Sequence, residues 1–130
     1  MSSCVLDTDV VIGALDDADA HHRRAATLIH RLVDGGVLLM VSVVNYTEAL
    51  VKPATEPATF RRAVEAIADM GIDVMPADDA IGREAARLRH RRLSLGDGFA
   101  LATALRLRSS LATFDERLRN VARESGLAVV

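Results

Sequence analysis

Apolar positions along this chain come in short runs separated by longer stretches with helical periodicity, a pattern that reads as alternating strand and helix. Residues 4–7, 37–41, 72–75, 111–112 and 127–130 predict strands, and residues 8–15, 20–34, 43–52, 59–70, 78–92, 96–108 and 116–124 predict helices. Strands this short, each separated from the next by helix, imply parallel pairing, because parallel neighbours need a crossover connection. The expectation is an α/β fold of three layers, with a short, mostly parallel central sheet flanked by helices. Gly35-Gly36 and Gly71 mark helix ends, Pro53 and Pro57 bracket a loop, and Pro76 follows a strand. Residues 98–107 are apolar almost all round, with Ala100, Ala102 and Ala104 keeping the helix thin, which predicts a central element packed on both sides.

With 130 residues, half of them hydrophobic, the chain can bury a real core, and no linker or repeat divides it, so residues 1–130 are expected to form one domain. The longest aliphatic stretch, 37–44, is interrupted by Ser42 and falls far short of the about 20 apolar residues that cross a bilayer. No membrane association is expected. The N-terminus lacks a secretory pattern and Cys4 has no cysteine to pair with, which places the protein in the cytoplasm. Cys4 itself is expected to be a small buried residue.

The net charge of −2 conceals an asymmetry. Residues 1–82 carry six Lys/Arg against thirteen Asp/Glu, whereas 83–123 carry ten Arg against four acids. A cationic C-terminal half suits a polyanionic partner. Within it, Arg83, Arg87, Arg89, Arg91 and Arg92 follow one helix and its exit and are the expected nucleic-acid contacts; the alternative is an exposed helix face. Aromatic residues are 3% of the chain, so extensive base stacking is not expected. His21, His22, His30 and His90 have no zinc-ligand spacing and read as surface residues.

The candidate chemistry lies in four acids, Asp7, Glu48, Asp97 and Asp115, each placed where an apolar stretch meets a helix start or early in a helix. Each has a local explanation. Asp7 or Asp9 can cap a helix, Glu48 can pair with Lys52, Asp97 completes Ser94-x-x-Asp97, and Asp115 lies inside Thr113-x-x-Glu116. Their conjunction points further, because in a parallel sheet the functional crevice lies at the carboxyl ends of strands, where Asp7 and Asp115 both fall. Two carboxylates about 4 Å apart repel by roughly 4 kcal/mol at an effective dielectric of about 20, so a cluster must protonate or bind cations. Hard oxygen ligands select Mg²⁺ or Mn²⁺, which points to phosphodiester chemistry.

The opening Val5-Leu6-Asp7-Thr8-Asp9-Val10-Val11-Ile12, the Ser42-x5-Glu48 segment, the stretch from Leu95-Gly96-Asp97-Gly98-Phe99 to Ala102 and Ala104, and Leu111-Ala112-Thr113-Phe114-Asp115 resemble, in order and spacing, the four motifs of PIN-domain nucleases. More narrowly, they resemble the VapC-type toxins of toxin-antitoxin pairs. The resemblance implies a PIN-like fold and a metal-dependent endoribonuclease in which Asp7, Glu48, Asp97 and Asp115 hold Mg²⁺, with Thr8, Asp9 and Thr113 in support. It also implies a VapB-type antitoxin partner, an RNA substrate, homodimerisation, and products with 5′-phosphate and 3′-hydroxyl ends. Val10, Val11, Leu15 and the helix over 25–33 are the expected surroundings of the antitoxin groove.

Two other readings compete. Asp7-Thr8-Asp9 also resembles the nucleophile loop of haloacid-dehalogenase-type phosphatases. That chemistry needs a downstream lysine, and the sole lysine, Lys52, lies in an early helix. The second competitor is a PIN-like scaffold that binds RNA or protein without cutting.

Overall fold

Three residues of the first apolar run, Cys4, Val5 and Leu6, are wholly buried, as expected of a strand covered on both faces. The computed structural model describes residues 2–130. Strands β1 (Ser3–Leu6), β2 (Leu38–Ser42), β3 (Ile72–Met75) and β4 (Ser110–Ala112) form one sheet in the order β3-β2-β1-β4, every pair parallel. In the register Val5 sits opposite Met40 and Leu111, and Leu6 opposite Ala112.

Helices α1 (Thr8–Leu15), α2 (His22–Asp34), α3 (Val43–Val51), α4 (Pro57–Asp69), α5 (Asp79–Leu88), α6 (Leu95–Leu107) and α7 (Glu116–Glu124) fill the connections. The strand period of two divides the core between the sheet's faces. Cys4, Leu6, Leu39, Val41 and Ala112 pack with Val10, Leu28, Leu50 and Ile67 of the first four helices. Val5, Met40 and Leu111 pack with Ala85, Leu101, Leu118 and Val121 of the last three. The three-layer α/β arrangement is therefore present. As its composition predicts, α6 is buried along most of its length, from Gly96 to Ala104.

This topology creates the crevice. The chain lays down β1, β2 and β3 in one direction, then returns to place β4 on the other side of β1. Connections from β1 and β4 consequently leave the sheet in different directions, opening a gap at its carboxyl edge.

Several expected boundaries shift for local reasons. The helix over 78–92 ends at Leu88 and continues as a 3-10 turn, Arg89–Arg91, closed by Arg92 in the left-handed region at φ 62°. That reversal lets Leu93 bury completely, and Arg89 Nη1 holds the Leu93 carbonyl at 2.7 Å. Pro57 opens α4 instead of lying in a loop: it has no N–H to lose there, and Glu56 accepts from Ala58 N and Thr59 N, both at 3.0 Å. Residues 127–130 do not form the expected strand. They make a single bridge, Val129 to Leu111, in which Leu111 N donates to the Ala128 carbonyl and Val130 N to the Leu111 carbonyl, both at 3.0 Å. Val10 and Val11 are fully buried core residues and so cannot surround a groove. Among the described residues, no helix is long and apolar enough to cross a membrane.

Candidate active site

Asp7 is the first residue beyond β1, and its extended backbone (φ −76°, ψ 164°) makes it the N-cap of α1, with Oδ1 accepting from Thr8 N at 2.8 Å. The neighbouring strand fixes the other oxygen. Asp7 N donates to the Ala112 carbonyl at 2.9 Å, which brings the end of β4 alongside, and Thr113 Oγ1 donates to Asp7 Oδ2 at 2.8 Å. Thr113 is fully buried and also accepts from Asp115 N at 3.1 Å, while its carbonyl accepts from Arg119. Asp115 in turn caps α7 through Leu118 N at 2.8 Å. Parallel pairing of two short strands thus sets two acids and a threonine at one edge.

The remaining acids come from α1, α3 and α6. Asp9 is not a helix cap; its Oδ2 reaches across to Phe114 N at 3.0 Å, and its Oδ1 is buried without a partner. Asp97 occupies the first turn of α6, where Ser94 Oγ accepts from Asp97 N at 3.1 Å, as the Ser94-x-x-Asp97 pattern predicts. Glu48 is not paired with Lys52 in this arrangement. Its Oε1 accepts from Thr8 Oγ1 at 2.7 Å.

One organising residue was not anticipated. Asn45 is fully buried, and its amide nitrogen lies 2.9 Å from Thr8 Oγ1 and 3.0 Å from the Gly96 carbonyl, with Asp7 Oδ1 and Glu48 Oε1 each at 3.4 Å. Four acceptors around one NH₂ group leave little choice in the amide's orientation. Asn45 joins α1, α3 and α6, so the acids sit on a shared polar frame. Its signal in sequence was a polar residue three positions before Glu48, hence on the same helix face.

A cavity of about 380 Å³ opens between these elements, lined by Asp7, Thr8, Asp9, Ile12, Glu48, Ser94, Asp97 and Asp115. All four principal acids and the supporting Thr8 and Asp9 therefore share one opening, while Thr113 lies beneath it. No basic side chain is in the lining. Burial raises Asp7 to about 7, with the charges of Asp9 and Asp97 adding to the effect and hydrogen bonds from Thr113 and Thr8 opposing it. Asp9 is also raised by burial, against its bonds from Phe114 and Thr113. Burial raises Asp97 too, with Asp115 and Asp9 contributing and Ser94 opposing.

This donor set fits a hard divalent cation. It consists of carboxylate oxygens, it contains a buried Asp9 oxygen with no donor, and burial raises Asp7, Asp9 and Asp97 towards the protonated form that a bound cation would displace. Among the described residues no three His, Cys, Asp or Glu side chains are closed round a common point, so the fit rests on chemistry and shared location.

Gly96 supplies the clearance for Glu48. A Cβ at Gly96 would lie 2.8 Å from Glu48 Oε2 and 2.9 Å from its Cδ, closer than real Cβ contacts. Because Glu48 is an exposed, flexible side chain, Gly96→Ala is expected to displace it and leave the fold intact, with helix propensity gaining about 0.5–1 kcal/mol. The expected result is an unchanged or slightly higher melting temperature together with roughly tenfold weaker Mn²⁺ binding by calorimetry. Unchanged Mn²⁺ affinity would show that Glu48 does not serve the site.

The arginines expected to meet nucleic acid are mostly engaged elsewhere. Arg83 pairs with Asp79 at 3.1 Å, Arg87 with Glu84 at 2.8 Å, Arg91 with Glu124, and Arg89 serves the Leu93 carbonyl. Arg92 is exposed, and none of these side chains lines the cavity. Lys52 is exposed at the end of α3 and does not line it either. His21, His30 and His90 are exposed, in keeping with their spacing, and His22 is half-buried with Nδ1 at 2.8 Å from the Gly13 carbonyl.

The family model described as the PIN domain matches residues 4–124. No curated protein gives a significant sequence match. Among solved structures, the chain resembles VapC20 of Mycobacterium tuberculosis, described as a sarcin-ricin loop cleaving toxin, with TM-score 0.70, 18% identity, and coverage of 91% of this chain and 94% of that one. It also resembles VapBC2 of Rickettsia felis, solved bound to a DNA fragment from their promoter, with TM-score 0.73, 10% identity and coverage of 98% and 97%. VapBC-1 of nontypeable Haemophilus influenzae gives TM-score 0.71, 16% identity and coverage of 98% and 96%. At these identities the likeness is one of fold.

Proposed function

The chain belongs to the PIN domain family, and from that premise we propose that it is a Mg²⁺-dependent endoribonuclease of the VapC toxin type, with Mn²⁺ as an alternative ion. The observation that carries the reading is the convergence of Asp7, Asp9, Glu48, Asp97 and Asp115 on one cavity whose lining contains no basic side chain. Asp7, Asp97 and Asp115 would hold the cation, and Glu48 would complete the site directly or through water. When bound, the ion supplies charge neutralisation and water activation for in-line displacement at phosphorus.

The protein's own groups prepare that step. Thr113 and Thr8 fix the two oxygens of Asp7, Asn45 sets the spacing between α1, α3 and α6, and the Ser94 cap holds Asp97 at the rigid start of a buried helix. Glu48, exposed and braced by Thr8, can accept a proton from an attacking water. Attack by water rather than by a ribose hydroxyl leaves 5′-phosphate and 3′-hydroxyl ends.

The phosphatase reading finds less support. Its nucleophile would be a carboxylate only 3% exposed, and the sole lysine does not line the cavity. A non-cutting scaffold gains nothing from five acids placed beside an RNA backbone. The neighbouring toxin-antitoxin assemblies support a VapB-type antitoxin as partner, and we extend the proposal to a homodimer acting on cytoplasmic RNA. Mapping RNA 5′ ends after brief expression, with Asp97→Asn as the control, tests the proposal. New ends at defined sites with the wild type alone support it, and an unchanged RNA population contradicts it.

A further inference from the structure

A pocket lined by acids repels the polyanion it is proposed to cut, so cations near its rim must bring the strand in. The arginines of α5 and the following turn are largely committed to carboxylates and a carbonyl. A different cluster adjoins the pocket directly. The His21 ring stacks on Phe114 with centroids 4.8 Å apart and planes at 30°, and Arg24 Cζ lies 4.5 Å from the centroid of the same ring. Phe114 sits between Thr113 and Asp115, is half-buried, and donates its N–H to the cavity-lining Asp9. The aromatic ring is thereby tied to the acid frame, and His21 and Arg24 are tied to the ring.

We propose that Arg24 and His21, seated on Phe114 at the pocket rim, bind the phosphodiester backbone of single-stranded RNA beside the bond that is cut. This rests on the nuclease reading above. A cation–π contact engages the face of a guanidinium and leaves its five in-plane N–H donors available, the geometry suited to bidentate phosphate recognition. Those donors have no carboxylate to compete for them, since among the described residues neither Arg24 nor His21 forms an ion pair. Both side chains are exposed, and the outer face of His21 offers a planar surface on which a base can stack. The strand-positioning cation, Arg24, thus comes from the first turn of α2, in the acidic half of the chain, rather than from the arginine-rich half.

Steady-state cleavage of a single-stranded RNA oligonucleotide by the full-length protein, at several salt concentrations, tests this. Arg24→Ala should raise KM about five- to tenfold with kcat within about twofold, and should lower the slope of log(kcat/KM) against log salt by about 0.7, the value for one phosphate contact on a single strand. Arg24→Lys should recover part of the affinity, His21→Ala should give a smaller rise in KM, and Arg106→Ala, at a guanidinium paired with Asp78 and outside the cavity lining, should match the wild type. An Arg24→Ala protein with wild-type KM and salt slope overturns the inference while leaving the nuclease reading intact. If the wild type cuts no RNA, the nuclease reading fails, and anisotropy with the same labelled RNA decides this one: weaker binding by Arg24→Ala supports it, and equal binding overturns it.

Discussion

Asp7→Asn is expected to abolish metal-dependent RNA cleavage while making the metal-free protein more stable. Loss of activity follows if Asp7 is the principal ligand proposed above, since even residues one shell further out typically cost ten- to a hundredfold, so a fall of at least about a hundredfold is expected. The gain in stability follows from the setting of Asp7. It is 3% exposed and its carboxyl titrates at about 7. An ionised Asp7 at about pH 8 therefore costs on the order of 4 kcal/mol relative to the unfolded chain.

Asparagine keeps the shape and removes that charge. Its amide oxygen can still accept from Thr8 N, and its NH₂ can face Thr113 Oγ1, whose proton can turn to Asp9 Oδ2 at 3.4 Å. Recovery of about 2–4 kcal/mol is expected, seen as a rise in melting temperature of roughly 5–15 °C in EDTA at about pH 8. An inactive variant that is also less stable would mean that Asp7 is a structural cap and that its charge is not strained. That combination would count against the site.

The metal-free wild type is expected to lose stability as pH rises from about 4 to about 7, opposite to the trend of a protein held by ion-paired carboxylates. Asp7 has a folded-state value near 7 against 3.8 for the ordinary group, so within that window the folded state keeps a proton that the unfolded chain has released. Stability then falls with a slope of up to about 1.4 kcal/mol per pH unit and levels off above about pH 7, where both states are ionised. Asp9 and Asp97 are shifted in the same direction and extend the trend. A divalent ion reverses it, because binding expels those protons, so Mg²⁺ should stabilise the protein most at alkaline pH and least at acid pH. Urea unfolding between about pH 5 and about pH 8, with EDTA and with Mg²⁺, checks both limbs. A metal-free stability that rises through this range would show that the acids are compensated within the protein.

The regular part of this architecture was legible because burial leaves a period in the sequence. The runs around Val5, Met40, Val74 and Leu111 marked the strands, and the strand ends at Asp7 and Asp115 followed from them. Tertiary partnerships leave no such period. Asn45 looks like an ordinary polar helix residue until α6 brings the Gly96 carbonyl to it, and Glu48 seemed matched to Lys52 until Thr8 came closer. Phe114, His21 and Arg24 come together only through the fold. The ion pairs of the arginines were hidden for a related reason: a run of like charge in sequence says nothing about the acids that surround it in space, and Glu84 and Glu124 each pair with one of them. Residues 127–130 carried a strand's composition but meet the sheet only at the bridge between Val129 and Leu111.

The central claim is that five carboxylates form one cation-dependent phosphodiesterase site, and the chemistry of the cut ends addresses it directly. Purified protein incubated with RNA and Mg²⁺ is expected to leave 5′-phosphate and 3′-hydroxyl ends, to stop in excess EDTA, and to resume when Mg²⁺ or Mn²⁺ is restored. Fragments ending in 2′,3′-cyclic phosphate, produced equally well in EDTA, would contradict it.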